Sequence, residues 1–429
     1  MGPKRVVIVG MGFAGLSAAR ALAGSGLEIV MVDRNNYHLF QPLLYQVASA
    51  GLEQESIAYP VRALARTWHG ARFRMGEVTG IDLAAKRVHL GDGELSYDYL
   101  IVAAGSRTNF FNIPGVKQHA FDLKKLSQAE ELRNHILMLF ERASRETDPS
   151  LRRALLTFVI VGGGPTGVEF AGALQELSRH VLSRDYPEIT AGEIRILLVE
   201  AAGSLLTAMP EELGRYACER LGDMGVEVLL DTRVTGADGE RVSFHNGVVV
   251  KTRTLFWSAG VAAAELAEQL DVAKGPAGRI AVSPDLAVPD HPEVFVAGDM
   301  ASLMQNGTPL PMMAPVASQQ GRYAARAVLA REKGTALPPF RYVDKGSMAT
   351  IGRSSAVATT HGFKLSGYIA WVAWLVLHLY YLIGFRNRLL VVMNWAYYYF
   401  FHERQVRLIT GDHTPCLRSP ACGKGSLHA

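Results

Sequence analysis

One pattern occurs twice in this chain and constrains its fold more than any other feature. Val6-Val7-Ile8-Val9 runs into Gly10-Met11-Gly12-Phe13-Ala14-Gly15, a helix-like stretch from Leu16 to Ala23 follows, and Glu28 to Val32 ends on Asp33. About 150 residues later, Phe158-Val159-Ile160-Val161 leads into Gly162-Gly163-Gly164-Pro165-Thr166-Gly167, a helix opens at Val168, and Ile196 to Val199 ends on Glu200. An isolated GxGxxG is a weak signal, because glycines after a strand often make only a tight turn. Here each copy follows an apolar strand, opens a helix and is answered by an acid at the end of the next strand. That combination predicts dinucleotide binding: the glycines let the backbone approach a pyrophosphate, the helix N-terminus stabilises its charge, and the acid accepts from ribose hydroxyls. The spacing to the acid is 23 residues in the first copy and 38 in the second, the excess falling in a longer helix and a loop, Arg179 to Glu193. Ala201-Ala202-Gly203 follows Glu200, so a 2′-phosphate would meet repulsion and no arginine. NADH is therefore expected over NADPH.

Three further apolar runs end in small residues and glycine: Tyr99 to Gly105, Leu255 to Gly260, and Val294 to Gly298-Asp299. Continuous apolar runs read as buried parallel strands. The fold class is α/β, with two Rossmann-like dinucleotide-binding domains, one inserted in the other, plus a C-terminal membrane-attaching helical segment. The boundaries expected are 1–115 and 263–350 for the first domain, 116–262 for the inserted one, and 351–429 for the C-terminal region. Ser127 to Arg145 reads as an amphipathic helix and Gly321 to Arg331 as another. A repeat of only two distant copies excludes solenoids and propellers. Two such modules in one chain suggest a flavin beside the nicotinamide, with hydride passing between them.

A formal net charge of +4 is too mild for a protein that neutralises nucleic-acid phosphates. The charge is uneven: residues 351–429 hold eight basic side chains against two acidic ones, leaving the body slightly acidic. Lys4 and Arg5 before an apolar run imitate a signal peptide, but Gly10, Gly12 and Gly15 break the run and no cleavage site follows, so it reads as the first strand. Cys218, Cys416 and Cys422 give no CxxC, no zinc spacing and no disulfide framework, which points to a reduced, cytosolic-side location.

Leu365 to Phe385 holds 21 residues without Asp, Glu, Lys or Arg. A helix of that length would measure about 31 Å, enough to cross a hydrocarbon core of ~30 Å. Against a span stands a stripe of amphipathic rings, Tyr368, Trp371, Trp374, His378, Tyr381 and Phe385, suited to a membrane interface. Arg386, Arg388, Arg404 and Arg407 beyond it would stay on the cytoplasmic side, and a span would then separate the cofactor domains from NADH. Two interfacial helices, Leu365 to Phe385 and Leu389 to Phe401, are expected to dock on the lipid surface. A single span and a helix buried in the core or in a homodimer are the alternatives.

The two GxGxxG turns, the Ala104-Gly105 turn, Glu169 inside the second helix and Val294 to Asp299 resemble the two-dinucleotide-binding-domain flavoproteins across about 350 residues. Asn36-Tyr37-His38-Leu39-Phe40-Gln41-Pro42-Leu43-Leu44, Gly162 to Glu169, Ala314 to Gly321 and the aromatic C-terminal segment narrow the resemblance to the type II NADH:quinone oxidoreductases over essentially the whole chain. The resemblance implies FAD on Gly10, Gly12, Gly15 and Asp33, with Gly105, Gly298 and Asp299 lining its site. It implies NADH on Gly162, Gly164, Gly167 and Glu200, with Gly260 ending a strand beside them. Glu169 corresponds to a carboxylate near the nicotinamide and flavin, the bland reading being a helix acid that complements the dipole. The quinone motif of the family has two glutamines; Ala314-Pro315-Val316-Ala317-Ser318-Gln319 keeps the second as Gln319 and has Pro315 in place of the first, which removes one side-chain donor. Lys364 is placed to face either lipid phosphate or a quinone mouth. The function implied is a membrane-attached, FAD-dependent transfer of hydride from NADH and of electrons to a quinone, without proton pumping, on the cytoplasmic side of the inner (cell) membrane. Without cysteines placed beside a flavin, thiol relays are not expected. The rivals are an NADH-binding flavoprotein acting as a redox sensor, distinguished by a slow turnover, and an NADH-dependent reductase of a protein acceptor, which would leave the C-terminal segment unexplained.

Overall fold

The computed structural model describes residues 2–360, 362–401, 403, 404 and 406–410. The chain divides into two compact units. The first comprises Met1–Leu39, Ala58–Arg107 and Val261–Lys345; the second comprises Phe40–Ile57, Thr108–Gly260 and the chain from Gly346 onward.

The first unit is built on a six-stranded sheet. Arg5–Val9 lies between Glu28–Asp33 and Tyr99–Val102, both parallel to it, with Ala71–Met75 beyond the first and His291–Val296 beyond the second. Ala287–Val288 closes that edge antiparallel. Val6 and Ile8 pack on one face with the Phe13–Leu22 helix, while Val7 and Val9 pack on the other with Leu100 and Val102. Strands covered on both faces need apolar residues at consecutive positions, which is why these runs lack alternation.

The second unit repeats the plan with five strands. Thr157–Val161 sits between Arg195–Val199 and Thr254–Trp257, all parallel, with Glu227–Leu229 and Ala120–Phe121 at the edges. The Pro165–Glu176 helix follows the glycine turn and runs on through a π-helical stretch, Leu177–Leu182. The amphipathic helix expected near 127 occupies Leu126–Ala143.

The C-terminal region does not stand apart as a region beginning at 351. Ser347–Thr350 pairs with Ala356–Thr360, which pairs with Phe363–Ser366, and this antiparallel sheet and the helices after it belong to the second unit. Phe40–Ile57 and Thr108–Gly115, expected in the first domain, also fall there. Two helices, Gly367–Tyr381 and Phe385–Phe401, are the last among the described residues. At 15 and 17 residues they measure about 22 and 26 Å. No helix among the described residues is long and apolar enough to cross a membrane. Leu382 leaves the helix with extended geometry and Gly384 takes a φ of 90°, so the 21-residue run expected as one helix is broken near its end.

The aromatic stripe is also redistributed. Trp374 is fully buried, stacks on His378 at 3.9 Å between ring centroids and meets Trp395 at 5.8 Å. The exposed side of the first helix is mainly aliphatic, with Ile369, Val372 and Val376 beside Tyr368 and Tyr380. Half of the stripe is therefore a packing surface, because indole and imidazole rings fill the gap between the two helices.

Candidate functional site

The two glycine turns are closed by the same device. In the first unit Asp33 accepts the Met11 N–H on Oδ2 and the Asn35 N–H on Oδ1, both at 2.7 Å. In the second, Glu200 accepts the Gly163 N–H on Oε2 at 2.5 Å and the Ala202 N–H on Oε1 at 2.8 Å. Each acid pins the glycine turn with one oxygen and the chain beyond its own strand with the other. A carboxylate offers about four acceptor sites, so two stay available to a ribose diol. Burial pushes the Asp33 carboxyl up from its ordinary value, against the lowering effect of those backbone donors.

A side chain on Gly15 would collide with the Gly10 carbonyl, and one on Gly167 with the Gly162 carbonyl. These positions set how tightly helix and strand approach. Gly12 and Gly164, at the N-caps, face open space within 4 Å of where a Cβ would stand, and neither helix has a side-chain cap. Both N-termini thus keep donors facing an unobstructed approach, as an anionic diphosphate requires.

Gly105 and Gly298 have φ of 77° and 74°, in the left-handed region. Asp299 accepts the Ser106 hydroxyl at 2.7 Å. Behind it the Ala314–Glu332 helix brings Gln320, fully buried, to accept the Gly298 N–H at 2.7 Å. The Gln320 Nε2 is buried without a partner among the described residues. Sequence reasoning missed this residue, although a Gln-Gln pair in an alanine-rich helix was a usable signal. An orphan donor beside a glycine turn is a group that a bound acceptor would satisfy. Gln319, one residue earlier, is engaged elsewhere: its amide donates to the Val343 carbonyl at 2.9 Å and accepts the Val343 N–H at 3.0 Å. The helix starts at Ala314 rather than near 321, and Pro315 lies in its first turn, where a missing N–H costs nothing.

In the second unit Glu169 is the fifth residue of the Pro165–Glu176 helix and is buried. Burial pushes its carboxyl up to about 8, and the long Thr350 N–H contact at 3.4 Å lowers it only in part. Trp374 adds a still weaker lowering: its indole Nε1 is near enough to act on the carboxyl but makes no hydrogen bond of ordinary geometry. A group held neutral near pH 7 does little for a helix dipole, and a proton held at that value suits transfer chemistry. A hydrogen-bonded chain leads away from Thr350: its hydroxyl shares a 2.9 Å bond with Tyr45, Gln46 donates to the Tyr45 oxygen at 3.0 Å, and Trp395 donates to Gln46 at 2.8 Å. Tyr45, Thr350 and Trp374 come from segments far apart in sequence, which is why no motif announced them.

Two turns further along the same helix, Glu176 is also buried and accepts from the Arg353 N–H, the Tyr398 hydroxyl at 2.8 Å and Arg404 at 3.3 Å. Arg404 donates as well to the Ser49 and Ala173 carbonyls, and its guanidinium stacks on Tyr398 at 4.6 Å. Gly260 has a φ of 75° and its carbonyl accepts the Asn109 N–H at 3.3 Å. Lys364 forms an ion pair with Glu212, both side chains about half exposed. Cys218 lies in the Glu211–Met224 helix, where burial pushes its thiol up; Cys416 and Cys422 lie outside the described residues.

Comparisons with known proteins place the chain in a family. Residues 4–321 match the family described as pyridine nucleotide-disulphide oxidoreductase, and residues 345–404 match the NDH2 C-terminal domain. A type II NADH:quinone oxidoreductase of Mycobacterium tuberculosis, Ndh, is 42% identical over 91% of this chain and 87% of its own length. A second from the same organism, NdhA, is 40% identical over 96% and 90%. Among solved structures, NDH2 from Plasmodium falciparum in complex with NADH superposes with a TM-score of 0.87 over 95% of this chain and all of that one; at 19% identity that likeness speaks to the fold. The sulfide:quinone oxidoreductase of Aquifex aeolicus gives a TM-score of 0.73 at 16% identity over 93% and 96%. With two relatives at 40% identity or more across nearly the whole chain and its C-terminal domain matched besides, the chain belongs to the type II NADH:quinone oxidoreductases, within the pyridine nucleotide-disulphide oxidoreductase family.

Proposed function

We propose that the protein oxidises NADH and reduces a quinone at a membrane surface, using FAD held in its first unit. The observation that carries this reading is the duplicated glycine turn locked by a strand-end acid, each with an uncapped helix N-terminus open to a diphosphate. The first unit fits FAD: Gly10, Gly12 and Gly15 would take the pyrophosphate, Asp33 the ribose, and Gly105, Gly298 and Asp299 the remainder, with the orphan Gln320 amide as a further donor. Bound there, FAD would accept a hydride from NADH and hand two electrons to the quinone.

The chain's own residues orient, exclude water and hold protons. Gly162, Gly164 and Gly167 would receive the NADH diphosphate and Glu200 its adenosine ribose, repelling a 2′-phosphate. Gly260 keeps the adjacent strand end free of a side chain. Glu169, neutral near pH 7, holds a proton at its carboxyl in a site shielded from solvent. Gln319 acts on the acceptor side by fixing the Val343 segment, and Pro315 starts that helix without contributing a donor. Lys364 stays with Glu212 and lies on the C-terminal sheet near the exposed apolar helices. Those helices would lie in the interface on the cytoplasmic side, with Arg386 and Arg388 at its anionic head groups. A homodimer would share part of the exposed apolar face. Turnover would not pump protons.

The test is spectroscopic. Purified protein should bleach its flavin absorbance on NADH, recover it on a short-chain quinone, and turn over many times per second. A flavin reduced slowly and left reduced in the presence of quinone would favour a redox sensor instead.

A further inference from the structure

We propose that the second unit carries a site for a single zwitterionic phospholipid with a primary amine headgroup, resting on the membrane attachment proposed above. Beside the start of the Gly367–Tyr381 helix lies a polar cavity of about 360 Å³, lined by Tyr216, Glu219, Arg220 and Asp223 of the Glu211–Met224 helix and by Ser354 and Ser355. Ser355 is buried and shares a 3.1 Å hydrogen bond with the Tyr216 hydroxyl, so the floor is already ordered. Arg220, Glu219 and Asp223 form no ion pair with one another or with another described residue at 4.0 Å or less. Charges of both signs lining one cavity without neutralising each other suit a ligand that carries both.

Tyr368 also lines a second depression, almost wholly apolar and about 670 Å³. It runs along Ile369, Val372, Val376, Leu377 and Tyr380. A polar cavity holding a cation and two carboxylates that shares Tyr368 with an apolar groove has the order of a phospholipid: phosphate to Arg220, ammonium to Glu219 and Asp223, acyl chain along the groove. Carboxylates accept hydrogen bonds from a primary ammonium, which a trimethylated amine cannot donate, so phosphoethanolamine is preferred to phosphocholine. The site would fix the rotation of the first interfacial helix at the bilayer surface.

The test uses the full-length holoprotein and floating vesicles, either phosphatidylcholine alone or phosphatidylcholine with phosphatidylethanolamine. Wild type should bind the mixed vesicles about tenfold more tightly, the ratio expected from one or two charge-assisted hydrogen bonds at a partly exposed site. Arg220→Gln and the pair Glu219→Gln, Asp223→Asn should each erase that preference, keep phosphatidylcholine binding and keep flavin bleaching by NADH. Equal wild-type affinity for both vesicles overturns the site. A preference that survives in both variants also overturns it, because lipid packing and not the cavity would then be the cause. Failure to bind either vesicle would remove the attachment reading itself, and this site with it.

Discussion

In the first unit the helix behind the glycine turn is met by Ala314–Glu332, whose Gly321 comes so close that a side chain there would collide with the Ala14 carbonyl. In the second, the corresponding helix is met by the C-terminal sheet, and a Cβ on Gly172 would stand 2.9 Å from the Gly352 nitrogen. The two turns share their strand, their glycines and their acid lock, but one is braced by the dinucleotide fold itself and the other by an addition to it. The second brace is also polar: Glu176 and Arg404 are buried together, and Tyr398 and the Arg353 amide complete the carboxylate's bonds. The segment whose exposed apolar face is proposed above to meet a membrane is therefore also part of the wall of the second unit. A truncation before Gly367 would strip both functions at once.

The largest effect that would break this comparison is expected at the polar brace. Arg404→Ala leaves Glu176 buried without its cation and should destabilise the second unit by about 3–5 kcal/mol. Chemical denaturation would read it, and a loss under 1 kcal/mol would mean that the C-terminal segment merely rests on the fold. Next come the paired glycines. Gly15→Ala should lower FAD retention and Gly167→Ala should raise the KM for NADH, each about tenfold or more, because overpacking against a carbonyl typically costs about 1–3 kcal/mol. If either change moved both ligands equally, the division of labour between the turns would be wrong.

The acid locks differ by one methylene, and Glu200 can be tested on its own. Glu200→Gln with Ala201→Arg should narrow the ratio of kcat/KM for NADH over NADPH by about tenfold, since the repulsion goes and a partner for a 2′-phosphate arrives. The amide oxygen can still accept the Gly163 N–H and hold the glycine turn, while the bond from the Ala202 N–H is given up. An unchanged ratio would place the adenosine ribose elsewhere.

Glu169 makes a pH prediction. Its folded pKa, about 8, lies above the ordinary carboxyl value of 4.5, so between those values the native state binds the extra proton and stability falls as pH rises. The destabilisation is absent below about 4.5 and complete above about 8. Glu169→Gln should flatten the dependence of the denaturation midpoint across that window and remove a drop on the order of a few kcal/mol. An identical slope in the variant would mean that the carboxyl ionises freely. The smallest effect is expected for Gln319→Ala, which releases two backbone bonds at Val343 for about 1–2 kcal/mol. Quinone kinetics should shift while flavin reduction by NADH stays near normal; loss of FAD instead would place Gln319 with the cofactor.

Much of the fold was legible because it is local. Strand, glycine turn, helix and acid sit within the 29 residues from Arg5 to Asp33 in the first unit, and each element's pattern agrees with the next. What escaped notice depends on distant segments. Tyr45, Thr350 and Trp374 surround Glu169 only because three stretches of chain converge, and no spacing encodes that. Pro315 reads as a missing donor, but its fixed φ also suits the first turn of a helix, and the helix begins seven residues before Gly321. Trp374 and His378 fell on the expected interfacial stripe because helical periodicity finds a face without telling whether lipid or protein covers it.

The Glu176–Arg404 pair also orders events during synthesis. The first half of that pair leaves the ribosome long before the second, and at ordinary elongation rates of about 5–20 residues per second the 228 intervening residues take roughly 11–46 s. Through that interval the nascent second unit holds a buried-to-be carboxylate without its cation and an uncovered face on its turn helix. Emergence of the segment that carries Arg404, not completion of the glycine turn, is the moment at which this unit can close.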